Sequence, residues 1–367
     1  MIHIYWRTAR EFKAPLVAIS LIAIALLFGV EKLLITKQQI FYQEKLKASK
    51  LALRMMNRIH EENMLHGRIA KMEFDPAQSG LIGLSLSDVT SNVGYIQSKK
   101  TSINPNFAAV IIQLLIKANV QPGDRVAVGM SGSFPAINIA VLSAIEVMEL
   151  KPFIISSASS SQWGANHPSF IWLDMEKILY SENYITSRTN IASLGGVEDR
   201  ALGMSERSKK LLNDGIKRSN LPMFNILNFE DGVNQRMNAY AKASDIHQYK
   251  AYINIGGGSL SVGTSIGKKI FKPGLIKRIP EGGFDVDSVI LRFLREDIPV
   301  INLIQIETLA KRYGLPIAPK TTPKPGEGKI FSKKEYNLWL TAIALFIIVI
   351  LLYLFRKKEV TDTEIIL

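Results

Sequence analysis

Two apolar runs without a charge stand near the ends of the chain, over residues 14–30 and 338–355. Each approaches the length that an untilted helix needs to cross about 30 Å of hydrocarbon. The first continues past Glu31-Lys32 into Leu33-Leu34-Ile35, so the predicted spans are 14–35 and 338–355. Charges follow the first run where small residues would mark a signal-peptide cleavage site, which predicts a retained anchor. Trp6, Trp339 and Tyr353 stand where interfacial aromatics are expected.

Between the anchors the pattern changes twice. Residues 36–74 mix charges with Leu46, Leu53, Met56 and Ile59, and contain no proline before Pro76. That pattern predicts a helical stalk leaving the membrane. From residue 75 to 315 short apolar runs alternate with amphipathic stretches, the signature of an α/β domain with a mainly parallel sheet flanked by helices. The predicted strands are 81–86, 125–130, 153–157, 223–227, 251–255 and 300–303. The predicted helices are 105–119, 135–150, 169–181, 205–219, 231–243 and 286–295. Pro105 and Pro135 then fall in first turns, where proline is tolerated. Residues 316–337 form a Pro-rich linker and juxtamembrane segment, and short tails, 1–13 and 356–367, complete the plan.

Charge adds a partner class. Residues 36–333 hold 37 Lys+Arg against 26 Asp+Glu, a surplus of +11 that belongs to the folded region. Such a surplus favours a polyanionic partner, whether anionic lipid headgroups, nucleic acid or an acidic polymer; of these, nucleic acid is not the one favoured. Basic residues Arg7, Arg10 and Lys13 precede the first span, and Arg356, Lys357 and Lys358 follow the second. The positive-inside rule then favours both termini in the cytoplasm and the central domain outside, against the pull of Lys32, Lys37, Lys45, Lys333 and Lys334 on the other flanks. With no cysteine and five scattered histidines, the sequence offers no thiolate chemistry and no metal site, and no cofactor is predicted.

Three small-residue segments follow predicted strands, where open α/β sheets bind ligands. The first holds Gly129, Ser131, Gly132 and Ser133 ahead of Pro135. It suits a ligand-binding turn, while Ser133 stands where a nucleophile elbow needs glycine. A catalytic Ser131 or Ser133 would need a base, with His167 or His247 as the available histidines. The second, residues 156–168, offers Ser157, Trp163 and Asn166 as a polar pocket wall. The third offers Gly256, Gly257 and Gly258 as a cradle for a small anion, without the spacing of a dinucleotide fingerprint or a P-loop. Each segment also fits a plain structural turn.

The strings LIGLSLSDVTSNVG, TSINPNFAAVIIQLL, VAVGMSGSFPAINIAVLSA, SSQWGANHPSFIWLDME, ASLGG and AYINIGGGSLSVG follow the first anchor in this order. Together they resemble the poly-γ-glutamate system protein family, over most of the chain to about Pro280. The resemblance implies association with the membrane machinery that makes and exports poly-γ-glutamate, alongside a ligase and integral membrane partners. It implies no catalytic residues. Three functions stay open: a non-catalytic accessory component contacting the acidic polymer or partner subunits, a serine-type hydrolase or transpeptidase acting on γ-glutamyl chains, and a domain on the cytoplasmic side that binds nucleotide through Gly256, Gly257 and Gly258.

Overall fold

The computed structural model describes residues 13–364; Trp6, Arg7 and Arg10 lie outside them. The described chain forms two compact units, one combining the residues up to Gln39 with those from Ser332 onward, the other spanning Ile40–Phe331.

In the first unit, helices Lys13–Lys32 and Leu338–Glu364 contain the apolar runs. Their stretches Ala14–Lys32 and Leu338–Arg356 are each 19 residues, about 28 Å at 1.5 Å per residue. Both are long and apolar enough to cross a membrane, and each buries a single residue, Val30 in the first and Ala344 in the second. The shorter apolar helix Pro135–Val147, by contrast, is buried in the other unit. Strand Ile35–Gln38 pairs antiparallel with Ser332–Glu335, forming a two-stranded ribbon that joins the inner ends of the two helices.

The ribbon corrects the expectation of a continuous stalk. The chain leaves helix at Lys32, runs extended through β-branched Ile35-Thr36, and re-enters helix at Tyr42 after Phe41 adopts a left-handed φ of 59°. Helix Tyr42–Leu65 is no free stalk either. It buries Ala48, Ala52, Met55, Met56 and Ile59 against the helices Phe107–Lys117 and Pro135–Val147, within the main core.

The second unit is built on six strands: β1 (Arg125–Ser131), β2 (Lys151–Ser157), β3 (Ile191–Ser193), β4 (Tyr249–Ile255), β5 (Gly274–Ile276) and β6 (Val300–Leu303). Their order is β5-β6-β4-β1-β2-β3, all parallel except β5, which pairs antiparallel with β6. Alternation along the strands feeds two cores. Val126, Val128 and Met130 of β1 join one cluster with the helices named above. Ala127 faces the other cluster, where Tyr240, Tyr249, Tyr252 and Phe293 pack edge to face or stacked. Helices Phe229–Ala243 and Val289–Arg295 close that second face.

Two expected strands are not strands. Residues 81–86 run irregularly because side chains and a loop take their backbone groups. Asn166 accepts from Leu84 N at 2.8 Å and donates to Leu84 O at 2.8 Å, and Gly83 N donates to Trp163 O at 3.1 Å. Residues 223–227 contribute only a bridge of Met223 to Ala192, beside Pro222. The Pro-rich segment is not a loose linker. Asn106 donates to Lys324 O at 2.9 Å and accepts from Gly326 N at 3.0 Å, and Ile330 and Phe331 are buried.

Candidate functional site

Strand β1 is the pivot of the sheet. The chain leaves it toward β2 and β3, then returns to β4 on its other side. Connections that diverge from neighbouring strands leave a crevice outside their carboxyl ends, the usual ligand position in open α/β sheets.

The loops at that edge are the small-residue segments. Ser131 ends β1, and its Oγ accepts from Ser133 N at 3.2 Å while Asn138 donates to its carbonyl at 2.9 Å. Opposite it, Gly256 has φ +84°, and a Cβ there would lie 3.2 Å from Ser131 Cβ. Only a glycine lets the two loops approach this closely in this conformation. Gly256→Ala is expected to destabilise the protein by about 1–2 kcal/mol, read from its urea midpoint. At Gly257 a Cβ would strike the Lys268 side chain, whose Cε lies 2.6 Å from that position. The missing side chain lets Lys268 lie across the loop and bring its ammonium to the rim. Ser131, Ser133, Ser157, Gly257 and Gly258 all keep access to solvent.

The loops are braced against each other. Ala165 N donates to Gly132 O at 2.8 Å, Ser161 N to Ser133 Oγ at 3.0 Å, and Ser159 N to Leu194 O at 2.9 Å. Glu198 N donates to Ser259 Oγ at 2.8 Å, tying the loop after β3 to the loop after β4. From Gly195 to Gly203 the loop after β3 places Glu198, Asp199 and Ala201 at φ of 53°, 60° and 52°. Non-glycine residues in that region are strained, and such strain persists only where surroundings over-determine it. Here the surroundings include a buried ion pair: Arg236 Nε donates to Asp199 Oδ2 at 2.8 Å, and Arg236 Nη2 reaches Ser193 Oγ at 3.2 Å. Asp199 Oδ1 also accepts from Ser157 Oγ at 3.2 Å. Burial opposes the Arg236 charge, but the Asp199 carboxylate beside it favours the charged form, and its pKa is raised.

A second buried cation serves the same edge. Lys99, on helix Ile96–Ser102, is 2% exposed. Its Nζ donates to Ser133 O and to Ser161 Oγ, the latter at 2.9 Å, and lies 3.8 Å from the centre of the Phe134 ring. Among the described residues no carboxylate pairs with it within 4 Å. Burial pushes its pKa down to about 7.

Most of the expected residues therefore meet. Ser131, Gly132, Ser133, Ser157, Gly256, Gly257 and Gly258 lie on the interlocked loops of one sheet edge. Gly129 lies within β1, where a Cβ would come 2.5 Å from the Tyr252 hydroxyl. Trp163 packs tilted against Phe74 with ring centres 4.4 Å apart, and Asn166 is spent on Leu84 and Thr90. His167 bonds through Nδ1 with Ser169 Oγ at 2.9 Å; among the described residues it makes no hydrogen bond to Ser131 or Ser133. Sequence reasoning missed Lys99, Asp199, Arg236 and Lys268, which read as ordinary surface charges until the loops are folded together.

Fold and edge define a class: an open α/β domain with a polar, small-residue loop edge at its switch point, in a chain that also carries two long apolar helices. Hydroxyls, glycine amides and an ammonium on the rim suit an anionic ligand. Beyond that class, no protein-family model, no curated protein and no solved structure matches this chain.

Proposed function

We propose that the protein is an accessory membrane component of poly-γ-glutamate synthesis or export, whose basic α/β domain contacts the carboxylate-rich polymer or its partner subunits outside the cell membrane. The pathway rests on the resemblance of the six sequence strings to the poly-γ-glutamate system protein family. The contact with a polyanion rests on one observation above all, the rim of Ser131, Gly257, Gly258 and Lys268 at the switch point. The +11 surplus of residues 36–333 agrees with it. Two spans joined by an antiparallel ribbon favour termini on one shared side, and Lys13 and Arg356 with their basic neighbours favour the cytoplasm.

Deleting the gene from a polymer-producing host should abolish or strongly reduce surface polymer while ligase activity in extracts persists. Surface polymer unchanged in amount and length would overturn the proposal. Protease treatment of spheroplasts should digest residues 40–331; complete protection would reverse the orientation.

A serine-type hydrolase or transferase acting on γ-glutamyl chains is the second reading, favoured by the Lys99–Ser161 contact. A lysine that is neutral near pH 7 can take the proton of a serine hydroxyl. The pair substitutes Ser161 for Ser131 and Ser133, which lack a histidine partner. Fluorophosphonate labelling that survives Ser131→Ala and Ser133→Ala but is lost in Ser161→Ala would establish it. No labelling of the wild-type protein would remove it.

A further inference from the structure

A separate cavity of about 150 Å³ opens where the segment after helix Tyr42–Leu65 meets residues 80–84 and 164–170. At about 30 Å³ per water, it has room for a ligand on the order of five waters in size. Its wall is part apolar, from Leu81, Phe170 and Met175, and part polar, from Asn63, Arg68 and His167.

Arg68 is the unusual member. Its guanidinium lies 4.2 Å over the Phe170 ring, and its Nε donates to Asn63 Oδ1 at 3.0 Å. Its Nη2 makes one long contact, 3.4 Å, to Glu62 O, and its Nη1 has no partner among the described residues. Asn63 is itself held, donating to Gly80 O at 2.7 Å. The fork is therefore fixed in place without being neutralised. The two carboxylates that could neutralise it are engaged elsewhere: Glu62 with Arg58 at 3.0 Å and Asp174 with Arg218 at 2.9 Å. Burial lowers the Arg68 pKa, but an arginine stays charged at any working pH. His167 shares the cavity. Its Nδ1 faces both the Ser169 hydroxyl at 2.9 Å and Ser169 N at 3.4 Å. An Nδ1 that accepts from that N–H leaves the ring proton on Nε2 as a donor. Burial, and then Arg68, lower the His167 pKa, which favours this neutral form.

A planar arginine fork that is positioned but unpaired, beside an imidazole and an apolar wall, matches a carboxylate on a short aliphatic stem. We propose that this cavity binds one small aliphatic carboxylate, with Arg68 as its bidentate partner and His167 as a second contact. This holds whether or not the protein serves polyglutamate synthesis. The carboxylate comes either from a free amino acid or from the end of an acidic chain.

Titration calorimetry on the detergent-solubilised full chain tests it, with glutarate, L-glutamate and a short γ-linked glutamate oligomer as probes and inorganic phosphate as a tetrahedral control. Saturable binding of at least one carboxylate probe, tighter than phosphate, is expected. Glutamate binding alone would identify the free amino acid as the source, and oligomer binding alone the chain end. Arg68→Gln should weaken binding roughly tenfold to hundredfold, and Arg68→Lys, which keeps charge but loses the fork, by a smaller factor. If Arg68→Gln does not fold, Arg68→Lys and His167→Gln decide, each expected to weaken binding. The proposal is overturned if no carboxylate probe saturates the wild-type protein, or if the folded Arg68 variants bind as it does. Either result leaves the polymer phenotype of the deletion strain untouched, so the two proposals fail separately.

Discussion

Arg236→Met is expected to lower the stability of the protein by about 3–5 kcal/mol, the usual cost of stranding one charge of a buried pair. Arg236 is 2% exposed and Asp199 is 8% exposed, so water cannot take over the role of the lost partner. With the guanidinium gone, Asp199 keeps only the Ser157 hydroxyl, and Ser193 Oγ loses its donor as well. The strain of Glu198, Asp199 and Ala201 then lacks its main restraint. Urea unfolding of the solubilised full chain, followed by fluorescence of buried Trp172, provides the measurement. Adding Asp199→Asn to Arg236→Met should recover a large part of the loss, since both charges are then gone. A loss below about 1 kcal/mol in the single variant would show that the pair is solvated and the loop not held by it.

That ion pair also marks the boundary of what the sequence discloses. Apolar runs with small residues behind them gave away β1, β2 and β4, because a central parallel strand must be apolar on both faces. The glycines and serines after those strands were readable for the same reason: each marks the exit from a buried strand. Helix Tyr42–Leu65 was legible as a helix but not as core. Its polar face dominates the composition, and its partners Phe107–Lys117 and Pro135–Val147 lie far along the chain. The ribbon at Ile35–Gln38 was hidden because its partner is almost 300 residues away. Residues 81–86 misled for the opposite reason. Their alternating pattern fits a strand, yet Asn166 and Trp163, some 80 residues on, take the backbone groups that a neighbouring strand would need.

The chemistry was least legible where a charge is buried. Lys99-Lys100 reads as a pair of ordinary surface charges, and Lys100 does lie at the surface. Lys99 turns inward because three elements meet around its ammonium: its own helix, the Ser133 turn and the Ser161 loop. Only long-range convergence creates that environment, and no local spacing announces it. The same convergence makes the edge more than a set of turns, since it buries an amine that has no carboxylate partner among the described residues, at the loops where a ligand would arrive.

Buried Glu176 and Lys99 should together give a stability minimum near pH 7. Glu176 is 0% exposed; its Oε1 accepts from Thr189 N at 3.1 Å and its Oε2 has no partner among the described residues. Burial raises its pKa to about 7, against 4.5 for an ordinary glutamate. Between pH 4.5 and 7 the unfolded chain has released this proton while the folded chain still holds it. Stability therefore falls as pH rises through that window, by roughly 1.4 kcal/mol per pH unit where the difference is a whole proton. Lys99 acts in the opposite sense above pH 7. Its folded pKa is about 7 against 10.5 unfolded, so between those values the unfolded chain binds the extra proton and stability climbs at a similar slope. Lys45, which donates to Gln113 Oε1 at 2.6 Å and is lowered to about 8 mainly by burial, reinforces the climb from pH 8 upward. Urea midpoints from pH 5 to 9 should trace the minimum. Glu176→Gln should flatten the acid limb and raise stability at pH 7 by on the order of 2–3 kcal/mol. Lys99→Met should flatten the alkaline limb only in part, leaving the Lys45 contribution. A profile with its maximum near pH 7, unchanged in both variants, would mean that neither group is held in the ionisation state its burial dictates.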